Sequence, residues 1–340
     1  MKIDIYPHIM PKKYKTELYK EMGTVFRQAE GTPTIVDLEK RFRIMDKHDD
    51  LVQVLTVTGP PLDGVVSPRK AARLAKIAND ELAEIVLKYP DRFVGAVAHL
   101  STANMDAALE ETDRAINDLH FRGILLWTPQ FSFDPQRGSF PSAGRPLDSA
   151  ELEPLYERMN AYNLPIWIHP ATDALPHYSS ETRGKYYAWQ VFTWPYETTF
   201  AMNRLVFGGI LEKYPNLKFV THHCGGMVPY FAARIKLSHD YAEMRLHRKH
   251  KKGLTKPPLE YFRMFYNDTA VGGSTPALMC AHAFFGADHI LFGTDMPYDS
   301  QIGDVALRET IRSIEEMDVA REEKKKIFED NARNLLRLPI

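Results

Sequence analysis

The chain has 340 residues, 44% of them hydrophobic, and sets 43 Lys and Arg against 44 Asp and Glu, a formal net charge of -1. That length admits one large domain or two small ones, and the balanced charge gives no global reason to expect a nucleic acid or an acidic membrane surface as partner. There is no apolar run of about 18 residues, no basic stretch followed by an apolar one at the start, and only Cys224 and Cys280 as cysteines, so no membrane span, signal peptide or disulfide framework is expected and a reducing, cytoplasmic setting is the default.

In chain order, Ile3-Asp4-Ile5-Tyr6-Pro7-His8 is a short apolar run that ends on histidine. Such a run reads as a buried strand that delivers a ligand-type side chain at its C-terminal end. Residues 10–34 are polar and irregular and read as a long loop at the mouth of a site. A helix over 36–48 precedes strand two at 51–57. Ser67 and Pro68 open a helix over 68–88. Strand three at 93–98, a helix over 104–119 and strand four at 123–127 follow. The Pro-, Gly- and Ser-rich stretch 128–146 reads as a linker or as a βα loop, and the loop is preferred because the alternation resumes after it. A helix over 149–162 leads to strand five at 165–169, and residues 171–196 are aromatic and polar. A helix over 197–213, strand six at 217–222 and a helix opened by Gly225-Gly226 come next. The basic segment 245–256 reads as solvated surface or as a lid that attracts anions. Strand seven at 264–268, a helix after Thr275, strand eight at 289–294 and charged helices ending near Leu336 complete the chain. This alternation predicts an α/β protein, a single (β/α)8 TIM barrel domain over 1–340, with long βα loops at about 10–34, 128–146, 171–196 and 245–256.

Several strands end on groups that bind metals. His8, His169 and Asp295 close strands one, five and eight. Imidazoles and a carboxylate are the ordinary ligands of a Lewis-acidic divalent ion. Asp295 by itself could equally be a turn or capping residue. Tyr6 lies two residues before His8 and shares its face of the strand; its phenol could ionise and bind a metal, donate a hydrogen bond there, or pack in the barrel mouth. His222 and His223 are adjacent, so strand alternation lets one of them face the centre. His223 is assigned to proton transfer and His222 to a structural or supporting place. Trp189 and Trp194 could wall a pocket, or serve core and interface packing. There is no Gly-x-Gly-x-x-Gly fingerprint and no phosphate loop, so no organic cofactor is implied.

Taken together these stretches resemble the amidohydrolase superfamily, in particular the decarboxylase branch typified by aminocarboxymuconate-semialdehyde decarboxylase, with the γ-resorcylate and 5-carboxyvanillate decarboxylases. The resemblance runs nearly end to end and rests on Arg41-Phe42-Arg43-Ile44-Met45-Asp46, Leu164 to Pro170, Glu197-Thr198-Thr199, His223-Cys224-Gly225-Gly226-Met227-Val228-Pro229-Tyr230, Leu291 to Pro297 and Asn331 to Leu336. It implies one divalent metal, zinc first and manganese as the alternative, held by the first-strand motif, His169 and Asp295, with His223 as acid/base. It also implies a homodimer in which Arg234 reaches the neighbouring subunit's substrate, and a second carboxylate-binding arginine at Arg41 or Arg43; a surface ion pair is the plain alternative for each. The first-strand motif departs from the family's His-x-His or Glu-x-His, because Tyr6 stands at its first position. The expected activity is metal-dependent, non-oxidative decarboxylation of an aromatic or unsaturated carboxylic acid, with His223 or Asp295 delivering the proton to the carbon that loses carbon dioxide. A hydrolase or hydratase on the same barrel is the alternative, and a barrel that has lost its metal and serves as a scaffold is the third reading.

Overall fold

The computed structural model describes residues 1–22, 28–130, 144–171, 178, 180–181, 184–246 and 253–340. Among the described residues, nine short strands, all paired in parallel, make the staves. They are β1 (Lys2–Asp4), β2 (His8–Ile9), β3 (Leu51–Val57), β4 (Phe93–Ala96), β5 (Ala98–His99), β6 (Ile124–Thr128), β7 (Pro165–Pro170), β8 (Lys218–Thr221) and β9 (Tyr266–Asn267). β3 pairs with β1, β2 and β4, and β5 through β9 pair in sequence order. Two predicted strands are thus broken in the middle, the first at Ile5–Pro7 and the third at Val97. Val97 N still donates to Leu55 O across the break.

The predicted eighth strand does not form a ladder. Its place is held by a parallel bridge from Asn267 to Ile290 and by single bonds, Leu291 N to Asn267 O on one side and Ile5 N to Phe292 O on the other. A buried polar seam completes the closure. Asp4 accepts from Tyr6 N, Gln53 Nε2, Thr294 N and Thr294 Oγ1. Four donors on one carboxylate satisfy a group that burial would otherwise penalise heavily. Even so, burial pushes Asp4 up to about 6.

Alternation along the strands sorts the core into two layers. Ile3, Ile5, Val54, Val97, Leu125, Trp167, Val220 and Leu291 fill the barrel lumen, and Leu335 and Leu336 of the C-terminal helix Asn331–Leu336 plug it. The larger layer lies between the strands and the surrounding helices. The helix Pro68–Lys88 begins where the sequence places it, although Ser67 occupies the cap position without a side-chain bond. Asn104 does cap the helix Met105–Asn117 by accepting from Ala107 N.

The expected mouth loop at 10–34 is corrected. Lys12–Met22 is a helix that buries Tyr14 and Leu18, a pair four residues apart on one face. The polar residues that suggested a loop are its solvent face. The aromatic stretch before residue 197 is also partly helical, with a π-helical turn at Trp189–Thr193 that runs into the helix Trp194–Phe207. Most of the predicted 128–146 loop and half of the basic 245–256 segment lie outside the described residues.

Candidate metal centre

His169 lies near the C-terminal end of β7, His222 and His223 follow β8, His8 opens β2, and Asp295 follows the segment in the eighth strand's place; barrel enzymes place their chemistry at this rim. His8, His169 and His222 bring ligand atoms to within 4.8 Å of one another, and His222, His223 and Asp295 do the same. Asp295 Oδ1 lies 3.2 Å from His8 Nε2 and 3.3 Å from His222 Nε2.

The outer ring nitrogens are committed. His8 Nδ1 lies 3.3 Å from Thr56 Oγ1, whose own proton goes to Pro7 O at 2.7 Å, so the hydroxyl accepts from the ring. His169 Nδ1 lies 2.6 Å from Pro170 O, which can only accept. His222 Nδ1 contacts the carboxylate of Asp268, both groups being fully buried. Each outer bond fixes the tautomer that leaves Nε2 with its lone pair, the arrangement of a metal-binding imidazole. Nε2 of His8 and of His222 are buried and have no well-directed hydrogen bond, despite the nearby Asp295 oxygen. Buried polar atoms without partners are rare, and two of them aimed at one carboxylate fit a cation.

The electrostatics agree. Burial and the neighbouring imidazoles hold His169 well below its ordinary range, and burial lowers His8 against the pull of Asp295. Burial works against a charged His222, but Asp268 and Asp295 raise it to about 10. Burial likewise opposes ionisation of Asp295, yet His222 and His8 keep it well below the usual carboxylate range. Two carboxylates around His222 therefore demand a positive charge at this point.

His223 is placed differently. Its φ of 56°, followed by 54° at Cys224, takes the chain out of the strand. Alternation no longer applies, and both histidines of the pair join the cluster. Asp268 holds this turn by accepting from His223 N at 3.3 Å and Cys224 N at 2.9 Å. At Gly226 a Cβ would stand 2.4 Å from Pro195 O, so only glycine allows the approach. His223 Nδ1 is buried and has no hydrogen-bond partner among the described residues, and burial together with the His222 charge pushes its pKa down to about 3.

Among the other candidates, Trp194 lies beside His169 and stacks on His223, while Trp189 packs behind Trp194. Tyr6 is buried and donates to Ile168 O at 3.0 Å. Arg41 does not fit a grip on substrate. It is 0% exposed and donates from Nη1 to His8 O at 2.7 Å and from Nε to Gln53 Oε1 at 2.8 Å, so it braces the strand that carries His8. Arg234 is exposed on the helix Val228–Leu246, and Arg43 is exposed as well. Sequence reasoning passed over Asp268, Trp127 against His169, and Tyr298 against His8. Asp268 ends strand seven as Asp295 ends strand eight, and that position was the available signal.

A closed parallel barrel with imidazoles and a carboxylate at its strand ends defines a metal-site barrel enzyme. The chain belongs to the amidohydrolase family, whose model matches residues 3–338. It is similar to the γ-resorcylate decarboxylase of Polaromonas sp. JS666, 31% identical over 88% of this chain and 87% of that one. It is 28% identical to the 2-amino-3-carboxymuconate-6-semialdehyde decarboxylase of Dictyostelium discoideum, over 93% and 86% of the two chains. The crystal structure of a dihydroxybenzoic acid decarboxylase from Polaromonas sp. JS666, with bound manganese and the inhibitor 2-nitroresorcinol, superposes with a TM-score of 0.79 at 27% identity, covering 99% of this chain and 96% of that one. Among the described residues no helix is long and apolar enough to cross a membrane.

Proposed function

We propose that the protein is a carbon–carbon lyase, a divalent-metal-dependent, non-oxidative decarboxylase of an aromatic carboxylic acid. The observation that carries this is the convergence of His8, His169, His222 and Asp295 around unpartnered ring nitrogens, in a chain similar to aromatic-acid decarboxylases. His8, His169 and Asp295 would hold the ion. When bound, it supplies a Lewis acid for the substrate carboxylate and a neighbouring oxygen. The imidazole-rich donor set favours zinc, and the manganese in the Polaromonas structure supports that ion as the alternative.

Decarboxylation exchanges a carboxylate for a proton at one carbon. Asp295 stays ionised and suits ligation better than proton delivery. His223 is the imidazole left free to move a proton. Transfer by such a positioned group contributes about 10²–10⁴-fold to rate. The faces of Trp194 and Trp127 would flank a flat aromatic ring. A homodimer is supported by a stripe on the helix Val228–Leu246, where Tyr230, Leu237, Tyr241 and Met244 are 56–78% exposed and recur at helical spacing around Arg234. Arg234 could then act on the neighbouring subunit's substrate. Free Cys224 and Cys280 support a reducing, cytoplasmic setting.

The test is release of carbon dioxide from a panel of hydroxylated benzoic acids, 2,6-dihydroxybenzoate first, by metal-loaded protein. Chelation should abolish the release and lower Tm, because a ligand of the folded state alone stabilises it, and zinc or manganese should restore both. Consumption of water by a lactone or alkene substrate without carbon dioxide would replace this reading with a hydrolase or hydratase.

A further inference from the structure

Resting on the metal-enzyme reading above, we infer that His222 is itself a ligand of the ion and that Tyr6 is not, so that the protein donors are His8, His169, His222 and Asp295. His222 is the residue common to both groups of converging donors. Its Nε2 and that of His8 stand 3.3 and 3.2 Å from the same Asp295 oxygen. Donors about 2.1 Å from one ion lie about 3–4 Å apart, so these spacings leave room for it between them. The Asp268 carboxylate behind Nδ1 completes a carboxylate–histidine pair of the kind that orients ligating imidazoles. Among the described residues His223 has no such partner on Nδ1, which separates the two neighbours by role.

Tyr6 has spent its hydroxyl elsewhere. The proton goes to Ile168 O at 3.0 Å, and the ring lies flat on the His222 ring, with centroids 4.0 Å apart and planes 19° from parallel. Tyr6 therefore acts as a wall that holds the plane of His222, and the further donor is His222, just past β8, rather than Tyr6 beside His8.

The deciding measurement is X-ray absorption at the zinc edge of the zinc-loaded wild-type chain, with zinc affinity by chelator competition for Tyr6→Phe and His222→Ala. Three bound imidazoles are expected in the wild type. Tyr6→Phe should keep them, with Kd changed by less than about 3-fold, and His222→Ala should lose one with Kd raised by more than about 100-fold, beyond the cost of removing a partner behind a ligand. The wild-type count needs no variant, so a His222→Ala chain that fails to fold leaves the test intact. One zinc held by two imidazoles, or zinc lost from a folded Tyr6→Phe chain, overturns this inference and leaves the metal enzyme standing. A wild type that takes up no zinc overturns both.

Discussion

Asp268 grips His222 from behind while its second oxygen accepts the backbone N–H of Cys224 at 2.9 Å. One buried carboxylate thereby fixes the imidazole that faces the centre and the turn that presents His223. Asp268→Asn keeps the shape and removes the charge. Zinc affinity should fall by about 10–100-fold, the usual cost of altering such a partner, with the far-ultraviolet circular dichroism unchanged. Unaltered affinity would show that Asp268 only supports the turn.

Arg41 is predicted to act on stability and not on substrate. Its guanidinium donates to His8 O and Gln53 Oε1, and its charge faces the ionisable Asp4. Arg41→Met strips these buried acceptors of their donor and should cost about 3 kcal/mol or more, read as a lowered urea midpoint. A raised KM with an unchanged midpoint would return Arg41 to the substrate site.

His99 should make the fold sensitive to acid. Burial pushes its pKa down to about 4, against about 6.5 in an unfolded chain. Between those values the unfolded chain binds a proton that the folded chain refuses. Stability is therefore full above about pH 6.5 and lost as the pH falls toward 4, by about 3 kcal/mol in all. His99→Gln should show a smaller drop in unfolding free energy than wild type between about pH 7 and pH 4.5. Equal drops would mean that His99 is solvated in solution.

The exposed stripe predicts a dimer that charge can split. Leu237→Glu combined with Tyr241→Glu places two carboxylates on a face where Leu237 is 67% and Tyr241 56% exposed. Light scattering should change from dimer to monomer, with Tm near that of wild type because neither side chain belongs to the core. If Arg234 works across the interface, inactive Arg234→Ala and His223→Ala chains should recover partial activity when mixed. A wild type that is already monomeric would end both expectations.

Much of the barrel was legible from the chain. Short apolar runs ending on His or Asp can be recognised locally, because strand alternation and the parallel layout carry each run's last side chain to one rim. That places His8, His169 and Asp295 together from the sequence alone. The helix Lys12–Met22 is hard to read from the sequence because only Tyr14 and Leu18 are fully buried, with Tyr19 and Met22 partly so, and its charged residues dominate the pattern. Arg41 looked like a carboxylate grip because nothing local shows that its partner is the carbonyl of His8, 33 residues earlier.

The sequence alone determined the class of fold, the strand-end imidazoles, the carboxylate and the departure at Tyr6. Only the tertiary structure decided that both members of the pair His222-His223 face the cluster. Alternation allowed one of them inward, but the left-handed backbone at His223 and Cys224 brings both into the cluster. What holds that turn is Asp268, 45 residues downstream of His223. A local pattern sets which way a regular strand points its side chains; where the strand ends, the direction is set by whichever distant group satisfies the backbone, and that is a property of the folded chain.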